Sequence, residues 1–169
     1  DWEYGLNNVP QGLPKKGGNG SLWEDVSIQG LSHYWFNPES TGTLNYLVQI
    51  ISEVKNLGFD EVLLDDFRFP NTEKIKFNGD KSEALNSAAE TLVQACATDS
   101  FVVSFASSQI TLPSTRCRLY MDDVAAADIP ELVASLNLET PETQLVFLTD
   151  LLDTRFTAYG VLRPLEIAN

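Results

Sequence analysis

An α/β fold built around a parallel sheet is predicted for this chain of 169 residues. Stretches with apolar residues at steps of three and four alternate along the sequence with short runs that are apolar throughout. Strands that are apolar on both faces and alternate with amphipathic helices are typical of βαβ units. The length is that of a single domain, so residues 1–169 are interpreted as one domain.

The first helix is predicted directly after "NPESTG". Ser40 or Thr41 can cap its start, and Gly58 provides a stop. Its apolar stripe consists of Leu44, Leu47, Val48, Ile51, Val54 and Leu57. This spacing predicts an amphipathic helix between that cap and Gly58.

The second helix starts from a capping-box pattern, Asp80 with Glu83. Its stripe consists of Leu85, Ala88, Ala89, Leu92, Val93 and Cys96. A third helix is predicted from Asp128, Pro130 and Glu131, where proline stands in the first turn. Its stripe consists of Leu132, Val133 and Leu136.

Four apolar runs predict strands, and a fifth run is weaker. The first strand is predicted over residues 59–66, within "GFDEVLLDDFRFP". The next three are predicted in "FVVSFAS", "CRLYMDD" and "TQLVFLTD", and the fifth in "AYGVLRPL". The predicted βα repeats therefore occupy residues 41–169.

The first forty residues are rich in Gly, Asn and Pro and show no helical or strand periodicity. They are predicted to form a long loop, and loops of that length are usually functional or part of a larger structure. The triplet Asn19, Gly20, Ser21 matches the acceptor pattern for N-glycosylation, which also occurs often by chance.

Charge and composition exclude several classes of function. The net charge of −13 leaves no basic face for a nucleic acid. No apolar stretch approaches the ~20 residues of a membrane span. A single histidine, His33, gives a zinc site almost no ligands, and no calcium-loop spacing occurs. Carboxylate oxygens suit Ca²⁺ or Mg²⁺, so a divalent cation at the acidic strand ends stays open as an alternative, while no metal ligand and no cofactor are assigned.

The two cysteines stand in different contexts. Cys96 falls on the stripe of the second helix, and Cys117 lies between two arginines before a predicted strand. A disulfide between them is geometrically open, and two buried thiols are the simpler alternative.

Acidic residues follow three of the four clear strands. Asp65 and Asp66 follow the first, Asp122 and Asp123 the third, and Asp150 the fourth. The carboxyl ends of parallel strands form the ligand-binding edge of such sheets. Side chains alternate along a strand, so at most one acid of an adjacent pair can point into a cleft.

A structural role for these acids is the competing interpretation. Asp is a common turn former, and Arg68 can neutralise Asp65 or Asp66 in a surface ion pair worth under ~1 kcal/mol. Nearby aromatic residues favour a functional interpretation, because sugar-binding clefts combine aromatic faces with carboxylates. They are Tyr34, Trp35, Phe67 and Phe69.

The stretch "GFDEVLLDDFRFP" resembles the signature of a glycoside hydrolase domain family found in many bacterial extracellular proteins. That family has a (β/α)8 barrel distantly similar to α-amylase-type enzymes. Upstream, "GSLWED" followed by "YWFNPES" resembles the family's G-x-x-W-x-D and W-x-N-P segments at a matching spacing. The resemblance implies a partial TIM-like barrel, with the chain as part of a longer one, because a full barrel needs ~250 residues.

By this resemblance Asp65 is the candidate catalytic carboxylate, with Arg68 orienting it. The sequence departs from the family at Asp66, where relatives carry an aromatic residue, and at Ser104, where they carry an acid. A second acid would then come from Asp122, Asp123 or Asp150, and Asp122 and Asp150 rank first because each ends an apolar strand. The candidate substrate-binding residues are Trp35, Asn37, Asp66, Arg68 and Tyr120.

The implied function is hydrolysis of a poly- or oligosaccharide at an extracellular or cell-surface location. A second hypothesis is a non-catalytic glycan-binding or structural module, and a third is an α/β domain without a sugar role. An incomplete barrel would expose sheet edges and a face, to be covered by the N-terminal segment or by a second copy in a homodimer.

Overall fold

The computed structural model describes residues 11–18, 21–26, 32–111 and 117–163. Its main sheet has five parallel strands, β3 to β7, whose order in space follows the order in the chain. They are β3 Glu61–Leu64, β4 Val102–Ala106, β5 Leu119–Met121, β6 Leu145–Leu148 and β7 Gly160–Leu162. This confirms the α/β class and agrees with partial TIM-like repeats. Within the described residues the sheet stays open, since β3 and β7 do not pair.

The helices lie between the strands, where the periodicity predicted them. They are α1 Thr41–Asn56, α2 Lys81–Cys96, α3 Ile129–Leu136 and a single turn, α4 Pro141–Gln144, and a 3-10 turn covers Thr154–Phe156. Both predicted caps form, because Ser40 accepts a hydrogen bond from the Thr43 N–H and Asp80 accepts one from the Glu83 N–H. The predicted stripe of α1 is wrong at its end, because Leu57 lies beyond the last turn and is 77% exposed.

The N-terminal region differs from the predicted loop. Two three-residue strands, β1 Glu24–Val26 and β2 Ser32–Tyr34, form an antiparallel pair. Strands this short are below the length at which alternation becomes visible in a sequence. The segment also packs on the domain, since Leu13 is buried and its N–H donates to the Trp35 carbonyl.

The two faces of the five-stranded sheet have different surroundings. We call one the helix-packed face, because its residues share a single hydrophobic core with α1, α2 and α3. Its fully buried members are Val103, Phe105, Leu119, Leu145 and Phe147. The alternate residues form the other face, called the open face here: Glu61, Leu63, Ser104, Tyr120, Val146, Leu148 and Leu162.

The open face departs from the expectation that the strands are apolar on both sides. Glu61, Ser104 and Tyr120 are polar, and Leu63, Leu148 and Leu162 are exposed. The first strand is also shorter than predicted, because Phe59 is 60% exposed and Asp65 and Asp66 already form a turn.

Some predictions lie outside the described residues. They include Asn19 and Gly20 of the glycosylation triplet and the last part of the fifth predicted strand. In the described part of the chain, no helix combines the length and apolar character that crossing a membrane requires.

Candidate functional site

The first part of the candidate site is the turn that follows β3. Asp65 and Asp66 are both exposed there, at the carboxyl edge of the sheet. Asp66 has a left-handed backbone with φ of 50°, and its N–H donates to Asp65 Oδ1 at 2.8 Å. Asp tolerates this conformation better than most residues, so Asp66 makes the turn and Asp65 stands at the end of the strand.

Arg68 pairs with Asp66 and leaves Asp65 without it. Its Nε and Nη2 lie 3.0 and 2.9 Å from the same oxygen, Asp66 Oδ1. Arg68 therefore does not contact Asp65 directly, although the family resemblance implies that Arg68 orients Asp65. Of the two adjacent acids, Asp66 has a cationic partner, and Asp65 forms no ion pair with any residue in the described ranges.

Trp35 and Asn37 reach this corner from the N-terminal side. The guanidinium carbon of Arg68 lies 5.0 Å from the centroid of the Trp35 ring, and the indole Nε1 donates to Asp25 Oδ2 at 3.1 Å. Asn37 Oδ1 accepts a hydrogen bond from the Glu39 N–H, which closes a turn before α1. Both candidate substrate-binding side chains thus already have protein partners.

The phenylalanines near Asp65 are packing residues. Phe67 lies 4.8 Å from Phe105 between ring centroids, and Phe69 is buried against Phe77 at the same distance. They do not supply the aromatic platform that the sequence suggested. The sequence could not distinguish these rings from exposed ones, because a phenylalanine has the same apolar side chain in a core as on a surface.

The second part of the site is a groove of about 730 Å³ at the carboxyl ends of β5, β6 and β7. Its lining consists of Asp123, Val124, Ala125, Leu148, Thr149, Asp150, Leu151, Leu162 and Arg163. Arg163 Nη1 donates to the carbonyl oxygens of Asp150 and Leu151 at 3.2 and 3.1 Å. The groove is thus lined by two aspartates and one arginine among apolar side chains.

The turn after β5 repeats the design of the turn after β3. In both, an Asp-Asp pair follows the strand, and the second Asp has a left-handed backbone: Asp66 with φ of 50° and Asp123 with φ of 53°. Asp122 is exposed and does not line the groove. The turn-forming role that competes with catalysis therefore applies to the second acid of each pair.

Strand spacing sets the separations along this edge. Neighbouring strands lie about 4.8 Å apart, so the acids after β5 stand about 10 Å from Asp65 and Asp150, after β6, stands about 14 Å away. Glycoside hydrolysis with inversion uses carboxyl groups roughly 6.5–9.5 Å apart. Side chains that lean toward each other can close the smaller gap, which favours Asp122 or Asp123 over Asp150 as the partner of Asp65.

Sequence inspection missed a polar cluster on the open face, centred on Glu61. Glu61 Oε1 accepts hydrogen bonds from the hydroxyls of Ser104 and Tyr120, and its Oε2 lies 2.7 Å from Arg118 Nη1. Burial raises the pKa of the Tyr120 phenol to about 12; the charge and hydrogen bond of Glu61 act in the same direction and the Arg118 charge acts against them. The signal was an acidic residue at the start of an apolar strand, but its partners come from other strands and are set by register.

Glu61 itself stands too far from the edge to complete the acid pair. It lies four residues before Asp65, which is about 13 Å along a strand. Ser104, expected at the position of a second carboxylate, is fully buried in β4 and donates its hydroxyl to Glu61. The described part of the loop after β4, residues 107–111, contains no acid.

The remaining candidate chemistry is limited. Cys96 and Cys117 are both buried and are not joined by a disulfide. Burial raises the pKa of the Cys96 thiol, with Ser52 and Lys55 acting in the opposite direction. In the part of the chain that the structure describes, no three side chains of His, Cys, Asp or Glu come together as metal ligands.

Comparison with known proteins gives one match. A family model described as "Putative glycosyl hydrolase domain" matches residues 8–112, which include α1, β3, the Asp-Asp turn, α2 and β4. No curated protein and no solved structure matches the chain. The matched range contains Asp65, Asp66, Arg68 and Trp35, whereas the groove after β5–β7 lies beyond it.

Proposed function

The chain belongs to the family described as "Putative glycosyl hydrolase domain", and from that premise we propose that it hydrolyses glycosidic bonds of a poly- or oligosaccharide. The proposed catalytic pair is Asp65 with an acid that follows β5, Asp122 or Asp123. Asp150 would contact sugar hydroxyls in the groove. The observation that carries this proposal is the position of all four acids at the carboxyl edge of one parallel sheet.

The spacing of the two turns supports an inverting mechanism. One carboxyl group donates a proton to the leaving oxygen, and the other carboxylate activates a water molecule on the opposite face of the sugar. That arrangement needs a wide gap, and acids two strands apart provide about 10 Å before the side chains lean inward. A retaining pair would need its carboxyl groups ~5 Å apart, which is about half the spacing between the two turns.

The test is an Asp-to-Asn series assayed by the release of reducing ends from soluble starch, xylan, mixed-linkage β-glucan and chitosan. Asp65→Asn is expected to lower kcat by ~10²–10⁴-fold on the substrate that wild type hydrolyses, because it removes one carboxyl of the pair. Asp122→Asn or Asp123→Asn should give a loss of similar size, and Asp150→Asn should act mainly on KM.

Asp60→Asn is the matched control, because Asp60 is an exposed acid that precedes β3, at the opposite end of the strand from Asp65. Its activity should equal that of wild type. Hydrolysis retained by Asp65→Asn would overturn the proposal. The anomer released first, read by NMR, separates inversion from retention.

A second candidate function is glycan binding without turnover. It is favoured by Ser104, because β4 contributes a buried serine, bonded to Glu61, where the family resemblance placed an acid. Saturable binding of one of the same polysaccharides without product, retained in Asp65→Asn, would support this candidate. Carbohydrate is the partner in both cases.

An extracellular or cell-surface location is part of the proposal. It rests on the resemblance to a family that is found in many bacterial extracellular proteins. Fractionation of the source cells with an antibody against the domain tests it. Detection in the soluble cell interior alone would contradict it.

A further inference from the structure

A continuous line of contacts joins the N-terminal segment to the turn that carries Asp65. Asp25 accepts a hydrogen bond from the Trp35 indole, the Trp35 ring faces the Arg68 guanidinium, and Arg68 bonds Asp66. The line ends at Asp65, whose Oδ1 accepts the Asp66 N–H at 2.8 Å. Apart from Asp65, none of these residues takes part in a step of the proposed reaction.

We propose that Asp66 and Arg68 are positioning residues for Asp65. In this proposal the Trp35 ring holds the Arg68 guanidinium in place and does not stack on the sugar. This inference rests on the proposed function, because it assigns these residues a role in setting the Asp65 carboxylate. Asp66 contributes through its backbone, whose left-handed conformation directs its N–H at Asp65 Oδ1. Arg68 holds that conformation through the Asp66 side chain.

The contact with Trp35 is what distinguishes this ion pair from an ordinary surface pair. Arg68 and Asp66 are exposed by 38% and 67%, and pairs this exposed are worth little by themselves. A guanidinium over an indole ring adds a cation–π contact and restricts the side chain. The indole is fixed in turn by its hydrogen bond to Asp25, so Arg68 has a defined position from which to hold Asp66.

The chain contains a matched pair that lacks the ring. Asp153 and Arg155 are also two residues apart, with Arg155 exposed and Asp153 half-buried, and Arg155 Nε and Nη2 lie 2.9 and 2.7 Å from the Asp153 carboxylate oxygens. Neither residue lines the groove, and within the described ranges no aromatic ring faces Arg155. Arg155→Gln therefore removes the same kind of ion pair without disturbing the line to Asp65.

The Asp66 substitutions separate backbone from side chain. Asp66→Gly removes the carboxylate, so the left-handed conformation stays accessible but is no longer held by Arg68, and Asp66→Asn keeps that conformation and a weaker acceptor. If Arg68 acts through the Asp66 carboxylate, Asp66→Gly should behave like Arg68→Gln, and Asp66→Asn should fall between them and wild type. The double variant Asp66→Gly with Arg68→Gln should be no worse than either single variant.

The first readout needs no substrate. Arg68→Gln should change the tryptophan emission of the protein, and the change should vanish in a Trp35→Phe background, which isolates Trp35 from the other two tryptophans. Arg155→Gln should leave the emission unchanged. An Arg68→Gln emission equal to that of wild type would overturn the contact between Arg68 and Trp35.

The second readout is the kinetic split on the polysaccharide that wild type hydrolyses. Arg68→Gln and Asp66→Gly should lower kcat about ten- to hundred-fold with little change in KM, because misplacing a reacting group costs rate more than binding. Arg155→Gln should keep both constants. A rise in KM at constant kcat would overturn the positioning role and assign Arg68 to substrate binding.

The two hypotheses fail in distinguishable ways. Wild type without hydrolysis on any substrate would overturn the proposed function and the positioning role together, whatever the emission shows. Wild type with hydrolysis, and Arg68→Gln with wild-type kcat but altered emission, would overturn the positioning role alone.

Discussion

The helix-packed face and the open face of the sheet are made by the same five strands but are stabilised by different chemistry. On the helix-packed face, Phe105, Leu119 and Phe147 are fully buried against three helices. On the open face, a carboxylate, two hydroxyls and a guanidinium form one cluster, with exposed leucines farther along the sheet. The difference teaches that hydrophobic burial supports the fold from one side, while hydrogen bonds fix the strands relative to one another on the other.

The largest expected loss of stability comes from a substitution on the helix-packed face. Phe105→Ala should lower the free energy of unfolding by about 3–5 kcal/mol, because it removes a fully buried ring and leaves a cavity. Urea denaturation followed by circular dichroism measures the change. Leu162→Ala on the open face, where the side chain is 49% exposed, should cost less than about 1 kcal/mol. Equal losses would contradict the difference between the faces.

A smaller loss is expected when the polar cluster is broken. Glu61→Ala should lower the free energy of unfolding by about 1–3 kcal/mol, because the buried Ser104 hydroxyl and the Arg118 guanidinium lose their acceptor. Glu61→Gln, which keeps an acceptor oxygen, should cost less. The same urea titrations measure both, and a Glu61→Ala variant as stable as wild type would show that the cluster contributes nothing to the fold.

The stability of the polar cluster should depend on pH through the Tyr120 phenol. Tyr120 has a pKa of about 12 in the folded chain, against about 10 for an ordinary tyrosine. The folded state therefore keeps this proton to higher pH than the unfolded chain. Its contribution to stability is complete below pH ~10 and is lost as the pH rises toward 12.

Ultraviolet absorbance during an alkaline titration measures the ionisation of the five tyrosines, of which Tyr120 is one. One phenol should ionise late, and Glu61→Gln should move it back toward the ordinary value, since a carboxylate would no longer oppose the phenolate. Five tyrosines that ionise together in wild type would contradict the assignment.

The smallest expected effect concerns the exposed leucines of the open face. The homodimer that the sequence leaves as an option stays a prediction, in which a second copy covers Leu148 and Leu162. Sedimentation velocity over a concentration series should then show association that weakens in a Leu148→Ser, Leu162→Ser variant. A monomer at all concentrations would show that no second copy covers this face.

Much of the fold could be predicted because its signals are local. Three helices and five strands were placed by the 3.6-residue period, by Ser40 and Asp80 as caps and by apolar runs. The errors have local causes too. The pair β1 and β2 is too short to show alternation, and Leu57 continues the period of α1 beyond its last turn.

The candidate site could be predicted only in part. The acids were expected at one edge of the sheet because parallel strands end together, and β3, β5 and β6 place them there. The partners of each side chain could not be predicted. The sequence left open whether Arg68 pairs with Asp65 or with Asp66, and it pairs with Asp66, because the left-handed turn at Asp66 is a backbone conformation that the sequence does not specify.

The sequence by itself determined the α/β class, the succession of βα units and the acids at the ends of the strands. These follow from periodicity and chain order, which involve residues a few positions apart. Only the tertiary structure decided that Glu61 meets Ser104 and Tyr120, that Trp35 seats Arg68 and that Asp123 and Asp150 share a groove. Those contacts join residues far apart in the chain, and strand register and turn geometry set them, since a shift of one residue would turn each side chain to the opposite face.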